Sequence, residues 1–221
     1  GGQAGLFAAH MAVCAPGDTA LYIDPYYATY PGTIRGASAR AVAIPTRAED
    51  GFLPDADTID RVARETGATS LLINTPNNPT GAIYPAETLQ AIARVAQARD
   101  LWVISDEVYD TQVWAGQHLS PRALPGMGDR TLVVGSMSKS HAMTGSRVGW
   151  IVGPEPAIDA LIDLSTATTY GVAGYIQDGA EFALAQGEGP EAAVAEPFRR
   201  RRARILDVLA EQSLVTVIPS Q

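Results

Sequence analysis

Several side chains able to do chemistry lie within a few residues after short apolar runs of this 221-residue sequence. They are a lysine, an aspartate, an asparagine, a tyrosine and two serines: Lys139, Asp106, Asn78, Tyr109, Ser136 and Ser138. Arg147 lies eight residues after the lysine, Tyr27 follows an earlier apolar run, and Gly1-Gly2-Gln3 precedes a helical pattern. These residues supply an amine, a carboxylate, hydroxyls, an aromatic ring and the amides of a helix start. Together these groups indicate covalent catalysis by an amine on an anionic partner.

The apolar runs are predicted to be strands of a mostly parallel sheet, because they alternate with longer helical segments. Strands are predicted at residues 21–23, 41–44, 71–73, 101–104, 131–134, 148–152 and 214–218. Helices are predicted at residues 3–14, 57–66, 85–100, 157–164, 174–185 and 191–211. In such sheets a ligand lies at the carboxyl ends of the strands, so we expect the side chains above to meet at one edge.

This set of groups suits pyridoxal 5'-phosphate. Lys139 can form a Schiff base, and Asp106 can keep the pyridine nitrogen protonated so that the ring withdraws electrons. Tyr109 and Asn78 can bind the ring hydroxyl, and Tyr27 can cover the ring face. The phosphate requires helix-start amides, hydroxyls and a charged fork, which are predicted at Gly2, Gln3, Ser136, Ser138 and Arg147.

Five sequence blocks resemble those of the class I and II aminotransferases, pyridoxal-phosphate enzymes of the aspartate aminotransferase type (fold type I). In chain order they are Gly1-Gly2-Gln3, Asp24-Pro25-Tyr26-Tyr27, Asn77-Asn78-Pro79-Thr80-Gly81, Ser105-Asp106-Glu107-Val108-Tyr109, and Ser136-Met137-Ser138-Lys139 with Arg147-Val148-Gly149-Trp150. Taken singly, the candidate residues in these blocks are weak signals, since a strand-end aspartate is often only a helix cap. Their common order over residues 1–150 makes the resemblance specific, whereas residues 151–221 resemble the family only in helical character.

The resemblance implies an α/β fold with a mostly parallel seven-stranded-type sheet sandwiched by helices. Residues 1–190 would form the large cofactor-binding domain, without its first strand and N-terminal arm. Residues 191–221 would form a connecting helix and the first strand of a small C-terminal domain. The sequence is therefore expected to be truncated at both ends.

The resemblance also implies amino-group transfer between an amino acid and a 2-oxo acid, with Lys139, Asp106 and Tyr109 as catalytic residues. A homodimer is expected, and the arginine that binds the substrate carboxylate would lie outside the sequence. Two alternatives stay open. One is another chemistry of the same fold type: a C–S β-lyase, a decarboxylase or a cyclopropane-carboxylate-type synthase. The other is a pyridoxal-phosphate-binding regulatory domain.

The composition argues against several classes of binding partner and site. A formal net charge of −8 argues against nucleic acid or an anionic membrane surface as a partner. A single cysteine, Cys14, excludes an internal disulfide, and no metal site is predicted. No apolar run approaches the roughly 18 residues of a membrane span. A cytoplasmic location is expected, although a targeting segment before Gly1 would change that expectation.

Overall fold

The computed structural model describes residues 1–221 and contains one six-stranded sheet with the order β2-β1-β3-β4-β5-β6. The strands are β1 (Thr19–Asp24), β2 (Arg40–Pro45), β3 (Ala68–Asn74), β4 (Trp102–Asp106), β5 (Thr131–Ser136) and β6 (Gly149–Val152). Strands β1 to β5 are parallel, and β6 pairs with β5 antiparallel. The predicted α/β fold is confirmed, with six strands present.

Eight α-helices flank the sheet, and six of them correspond to predicted ones. They are α1 (Gly2–Val13), α2 (Tyr30–Gly36), α3 (Ala56–Thr66), α4 (Ala86–Ala98), α5 (Met137–Ser140), α6 (Glu155–Thr168), α7 (Gly174–Ala185) and α8 (Glu188–Ala210). Helices α2 and α5 were not predicted, because a segment of seven or four residues is too short for an apolar period to show. None of the eight combines the length and apolarity needed to cross a membrane.

The central strands are apolar on both faces because each face is covered by helices. In β3, Leu71 and Ile73 join a core of 17 buried residues that includes side chains of α3 and α4. Leu72 points the other way, into a core of 13 buried residues shared with α1, α2 and α6. The alternation along one strand therefore builds two apolar layers and holds the carboxyl ends of the strands in place.

The local sequence explains where helix α3 begins and ends. The Asp55 carboxylate accepts hydrogen bonds from the N–H groups of Asp57 (3.4 Å) and Thr58 (2.9 Å), which have no partner inside the helix. At the other end Gly67 adopts φ of +63°, a left-handed conformation that glycine enters without strain. The sequence-based bounds of this helix were right to within one residue.

The strand predicted at residues 214–218 is wrong. The segment has no strand pairing, and Leu214 is 97% exposed. A strand requires the backbone of a neighbour, and no strand of the sheet lies beside this run. Instead the chain returns to the sheet domain at Gln221, whose N–H donates to the Gly81 carbonyl (2.9 Å) and whose carbonyl accepts from the Trp114 N–H (3.0 Å).

The buried histidine of α1 makes the stability of the fold dependent on pH. His10 is 0% exposed and neither ring nitrogen has a hydrogen-bond partner, so burial lowers its pKa to about 4. In the unfolded chain the pKa of histidine is about 6.5. Between pH 4 and pH 6.5 the unfolded state therefore binds more protons than the folded state. The stability given by neutral His10 is complete above pH 6.5 and is lost as the pH falls towards 4.

We expect His10→Leu to remove this loss. Between pH 7 and pH 5 the wild type should lose about 2 kcal/mol more of its unfolding free energy than the variant does. Urea denaturation at the two pH values measures the difference. Phe7→Leu, at a 41%-exposed position of the same helix, is the control and should follow the wild type. Parallel pH dependences of wild type and His10→Leu would contradict the assignment.

Candidate active site

A pocket of about 170 Å³ opens at the carboxyl ends of β3, β4 and β5, beside the first turn of α1. All ten residues predicted from the sequence line it: Gly2, Gln3, Tyr27, Asn78, Asp106, Tyr109, Ser136, Ser138, Lys139 and Arg147. Five further residues also line it: Leu6, Tyr30, Asn74, Val108 and Thr144. The parallel sheet thus brings together side chains that are far apart in the sequence.

Asp106 is the last residue of β4 and is only 4% exposed. Its Oδ2 accepts a hydrogen bond from the Tyr30 hydroxyl at 2.8 Å, and its Oδ1 accepts one from the Val108 N–H at 3.3 Å. Burial raises the pKa of the carboxyl group to about 6, although both hydrogen bonds oppose the rise. At neutral pH Asp106 is therefore a buried anion, able to pair with a cationic N–H group in the pocket.

Two residues that contact Asp106 were missed by the sequence analysis. Tyr30, the first residue of α2, is 2% exposed and supplies the donor to Oδ2. Asn74, the last residue of β3, donates through Nδ2 to the Asp106 carbonyl (2.9 Å) and accepts from the Asn78 N–H (2.8 Å). A signal for Asn74 existed, because it stands at a strand end as Asp106 does. Tyr30 gave no such signal.

Asn78 and Tyr109 form a second polar pair in the pocket. The Asn78 Nδ2 donates to the Tyr109 hydroxyl at 3.3 Å. Burial raises the pKa of Tyr109, so its phenol keeps its proton at neutral pH and can donate it. The turn that carries Asn78 closes through Asn77, whose Oδ1 accepts from the Thr80 N–H (3.1 Å) and hydroxyl (2.7 Å). Two donors with fixed positions thus face the pocket from separate loops.

Lys139 lies in α5, the single helical turn that follows β5. It is the only lysine in the sequence, since the other 15 of its 16 basic residues are arginines. The Nζ atom lies 5.8 Å from the centroid of the Tyr109 ring. The turn is held by Ser136, whose Oγ accepts from the Ser138 N–H (3.2 Å), and by Gln112, which donates to the Lys139 carbonyl (3.2 Å).

The first turn of α1 lies at the pocket and has free backbone N–H groups. The N–H groups of Gly2 and Gln3 have no partner inside the helix, and the positive end of the helix dipole lies with them. The Gln3 side chain contacts Thr33 and Thr29 through 2.7 and 2.8 Å hydrogen bonds, so Gln3 offers the pocket its backbone. A Cβ at Gly1 would lie 2.9 Å from Arg147 Nη2, so glycine lets the guanidinium approach the helix start closely.

Tyr27 lies at the mouth of the pocket and is 42% exposed. Its ring meets the Tyr30 ring edge to face, with 5.8 Å between the centroids. The pocket therefore has an aromatic wall, a buried carboxylate, an amine, two hydrogen-bond donors and a helix start beside an arginine. These groups fit each part of pyridoxal 5'-phosphate: the pyridine nitrogen, the ring hydroxyl, the aldehyde carbon and the phosphate.

Comparison with known proteins gives one consistent result. The model of the family described as "Aminotransferase class I and II" matches residues 1–221. Arginine–pyruvate transaminase of Pseudomonas aeruginosa is 42% identical over 96% of this chain, and aspartate/prephenate aminotransferase of Thermus thermophilus is 38% identical over 100% of it. The matches cover 53% and 57% of these relatives, so the chain spans about half their length.

The fold leads to the same family. The structure of Thermus thermophilus aspartate aminotransferase with maleate superposes with a TM-score of 0.93 at 36% identity. The match covers 100% of this chain and 58% of that one. N-succinyldiaminopimelate aminotransferase from Mycobacterium tuberculosis superposes with a TM-score of 0.89 at 34% identity, over 96% of this chain and 55% of that one. The chain belongs to the class I and II aminotransferase family.

Proposed function

We propose that the complete protein containing this chain transfers an amino group between an amino acid and a 2-oxo acid, with pyridoxal 5'-phosphate bound in the pocket. One observation carries the proposal: a buried carboxylate, the only lysine and a helix start beside an arginine line the same pocket. When bound, the cofactor supplies an electron-withdrawing ring that stabilises negative charge at the α-carbon of the substrate.

The residues of the chain would divide the work as follows. Asp106 keeps a proton on the ring nitrogen, because a buried anion favours the cationic partner beside it. Tyr109 and Asn78 bind the ring oxygen, and Tyr27 covers the ring face and limits the access of water. The amides of Gly2 and Gln3, the hydroxyls of Ser136 and Ser138 and the Arg147 guanidinium hold the phosphate.

Lys139 has two roles in this proposal. Its Nζ would hold the cofactor on the protein, and as a free amine it would take the proton from the substrate α-carbon. An amine without a hydrogen bond of its own suits both roles, and Gln112 and Ser136 hold the turn that carries it. The homodimer, the cytoplasmic location and the domain division at residue 190 stay predictions from the sequence.

An isotope experiment tests the reaction. The complete protein, loaded with pyridoxal 5'-phosphate, is given ¹⁵N-labelled arginine or aspartate together with pyruvate or 2-oxoglutarate. The donors follow from the names of the similar enzymes. We expect the label in a new amino acid. Release of labelled ammonia would indicate a lyase, and release of carbon dioxide a decarboxylase. Tight binding of the cofactor without turnover of either donor would indicate a regulatory domain. Each of these three results would contradict the proposal.

A further inference from the structure

The contact between Tyr30 and Asp106 joins residues that are 76 positions apart in the sequence. Tyr30 is 2% exposed, and its hydroxyl donates to Asp106 Oδ2 at 2.8 Å. It is the only side chain that donates to this carboxylate, since the second donor is the backbone N–H of Val108 at 3.3 Å. The shorter and better shielded bond to the carboxylate is therefore the one made by Tyr30.

We propose that Tyr30 is a positioning residue, whose phenol orients the Asp106 carboxylate and keeps it ionised for its partner in the pocket. The inference rests on the proposed function and deepens it, because it assigns a residue to the control of the carboxylate. The role requires that Tyr30 donates at every working pH and never takes the charge itself.

The electrostatics of the pair meet that requirement. Burial raises the pKa of Tyr30 well above its usual value of 10, and the neighbouring charge of Asp106 raises it further. The proton therefore stays on the phenol. Burial also raises the pKa of Asp106 to about 6, and the hydrogen bond from Tyr30 is the largest effect that opposes this rise. Without the hydroxyl, the carboxyl group would hold its proton at higher pH and pair less well with a cation.

The packing around Tyr30 fixes its ring. The ring meets Tyr27 edge to face and joins the buried core layer of α1, α2 and α6. Tyr30 thus connects the residue proposed to cover the cofactor ring with the residue proposed to pair with its nitrogen. Because the ring is held by packing, removal of the hydroxyl alone leaves the side chain in place and changes only the hydrogen bond.

Tyr84 provides a matched control within the same chain. Tyr84 is 1% exposed, and its hydroxyl is buried without any hydrogen-bond partner. Both Tyr30→Phe and Tyr84→Phe remove one oxygen atom from a buried ring. Only the first removes a donor from Asp106. A general effect of losing a buried hydroxyl would appear in both variants, whereas the proposed role appears in Tyr30→Phe alone.

The test measures the ionisation of Asp106 directly. In the cofactor-free complete protein, ¹³C NMR of carboxyl groups follows the titration of Asp106, whose signal is assigned by its loss in Asp106→Asn. We expect Tyr30→Phe to raise the pKa of Asp106 by about one to two units, as expected for losing a hydrogen bond to a charged group. Tyr84→Phe should titrate as the wild type. Equal curves for wild type and Tyr30→Phe, or equal shifts in both variants, would overturn the proposal.

A second readout applies to the loaded protein. ¹⁵N NMR of labelled pyridoxal 5'-phosphate reports the protonation of its ring nitrogen, and the protonated fraction at a given pH should be smaller in Tyr30→Phe than in the wild type. If Tyr30→Phe does not fold, fluorotyrosine incorporated into the wild type replaces it, and its more acidic phenol should lower the pKa of Asp106. An unchanged pKa would then overturn the proposal.

The cofactor-free titration is independent of turnover, so the absence of amino-group transfer would refute the proposed function without affecting this result.

Discussion

Lys139→Ala is expected to reduce amino-group transfer by about ten-thousand-fold or more, the largest effect of any single change to this chain. In the proposed function the variant would lack both the attachment point of the cofactor and the base that removes the α-proton, and loss of a general base alone costs up to about 10⁴-fold. No other lysine of the chain can substitute, since Lys139 is the only one. Initial rates of 2-oxo acid consumption by the complete protein measure the loss.

The fold should tolerate this substitution, because the Nζ atom makes no hydrogen bond or ion pair in the structure and lies 5.8 Å from the centroid of the Tyr109 ring. Lys139→Arg is the matched control. It keeps the positive charge, but a guanidinium does not lose its proton in proteins and so cannot act as the amine. Both variants should therefore be folded and inactive. Activity of either variant within tenfold of the wild type would contradict the role of Lys139.

Asp106→Asn is expected to lower kcat by about a hundred-fold or more while making the cofactor-free protein more stable. The activity falls because a neutral amide cannot favour a proton on the ring nitrogen, and preorganised electrostatic groups of this kind are typically worth 10² to 10³ in rate, roughly. Asp106→Glu should lose less activity, since the charge survives at a displaced position.

The gain in stability follows from the raised pKa. The pKa of Asp106 is about 6 in the folded protein, against an ordinary value of 3.8 for aspartate. The destabilising cost of the buried anion therefore appears as the pH rises from about 4 to 6 and is complete above it. At pH 7, Asp106→Asn should gain up to about 3 kcal/mol of unfolding free energy without cofactor. A variant that is both inactive and less stable would show that Asp106 is structural.

Asp106→Asn is expected to lose activity and to gain unfolding free energy. This combination distinguishes a functional carboxylate from one that supports the fold. Asp55 illustrates the second kind: it is exposed, caps α3 through its contacts with Thr58, and has a lowered pKa. Asp106 lies at a strand end, where an N-cap would be the ordinary explanation, yet it lines the pocket and its pKa is raised. The direction of the pKa shift separates the two carboxylates.

The sequence predicted the strand ends well because the central strands are apolar along their whole length. The position after such a run is therefore well defined, and Asp106 and Ser136 were located at strand ends. Asn78 was found because its turn contains residues that neither a helix nor a strand accepts in that order. These positions are determined by the residues next to them in the sequence, so a local sequence pattern can predict them.

Contacts between distant segments could not be predicted in the same way. Tyr30 lies in a helix of seven residues, and nothing near it in the sequence indicates that its hydroxyl reaches Asp106. The run at residues 214–218 has the composition of a strand, but a strand also needs a neighbouring backbone, which composition cannot supply. Both errors arise because the missing information lies in another part of the chain.

The central claim is that the cofactor is attached to Lys139, and chemical mapping tests it most directly. Borohydride reduction of the complete protein with pyridoxal 5'-phosphate fixes the cofactor to its amine, and mass spectrometry of peptides then locates the added mass. The account predicts the phosphopyridoxyl group on the peptide that contains Ser138-Lys139-Ser140 and its absence from Lys139→Ala. A label confined to a lysine outside residues 1–221, or undiminished labelling of Lys139→Ala, would contradict the account.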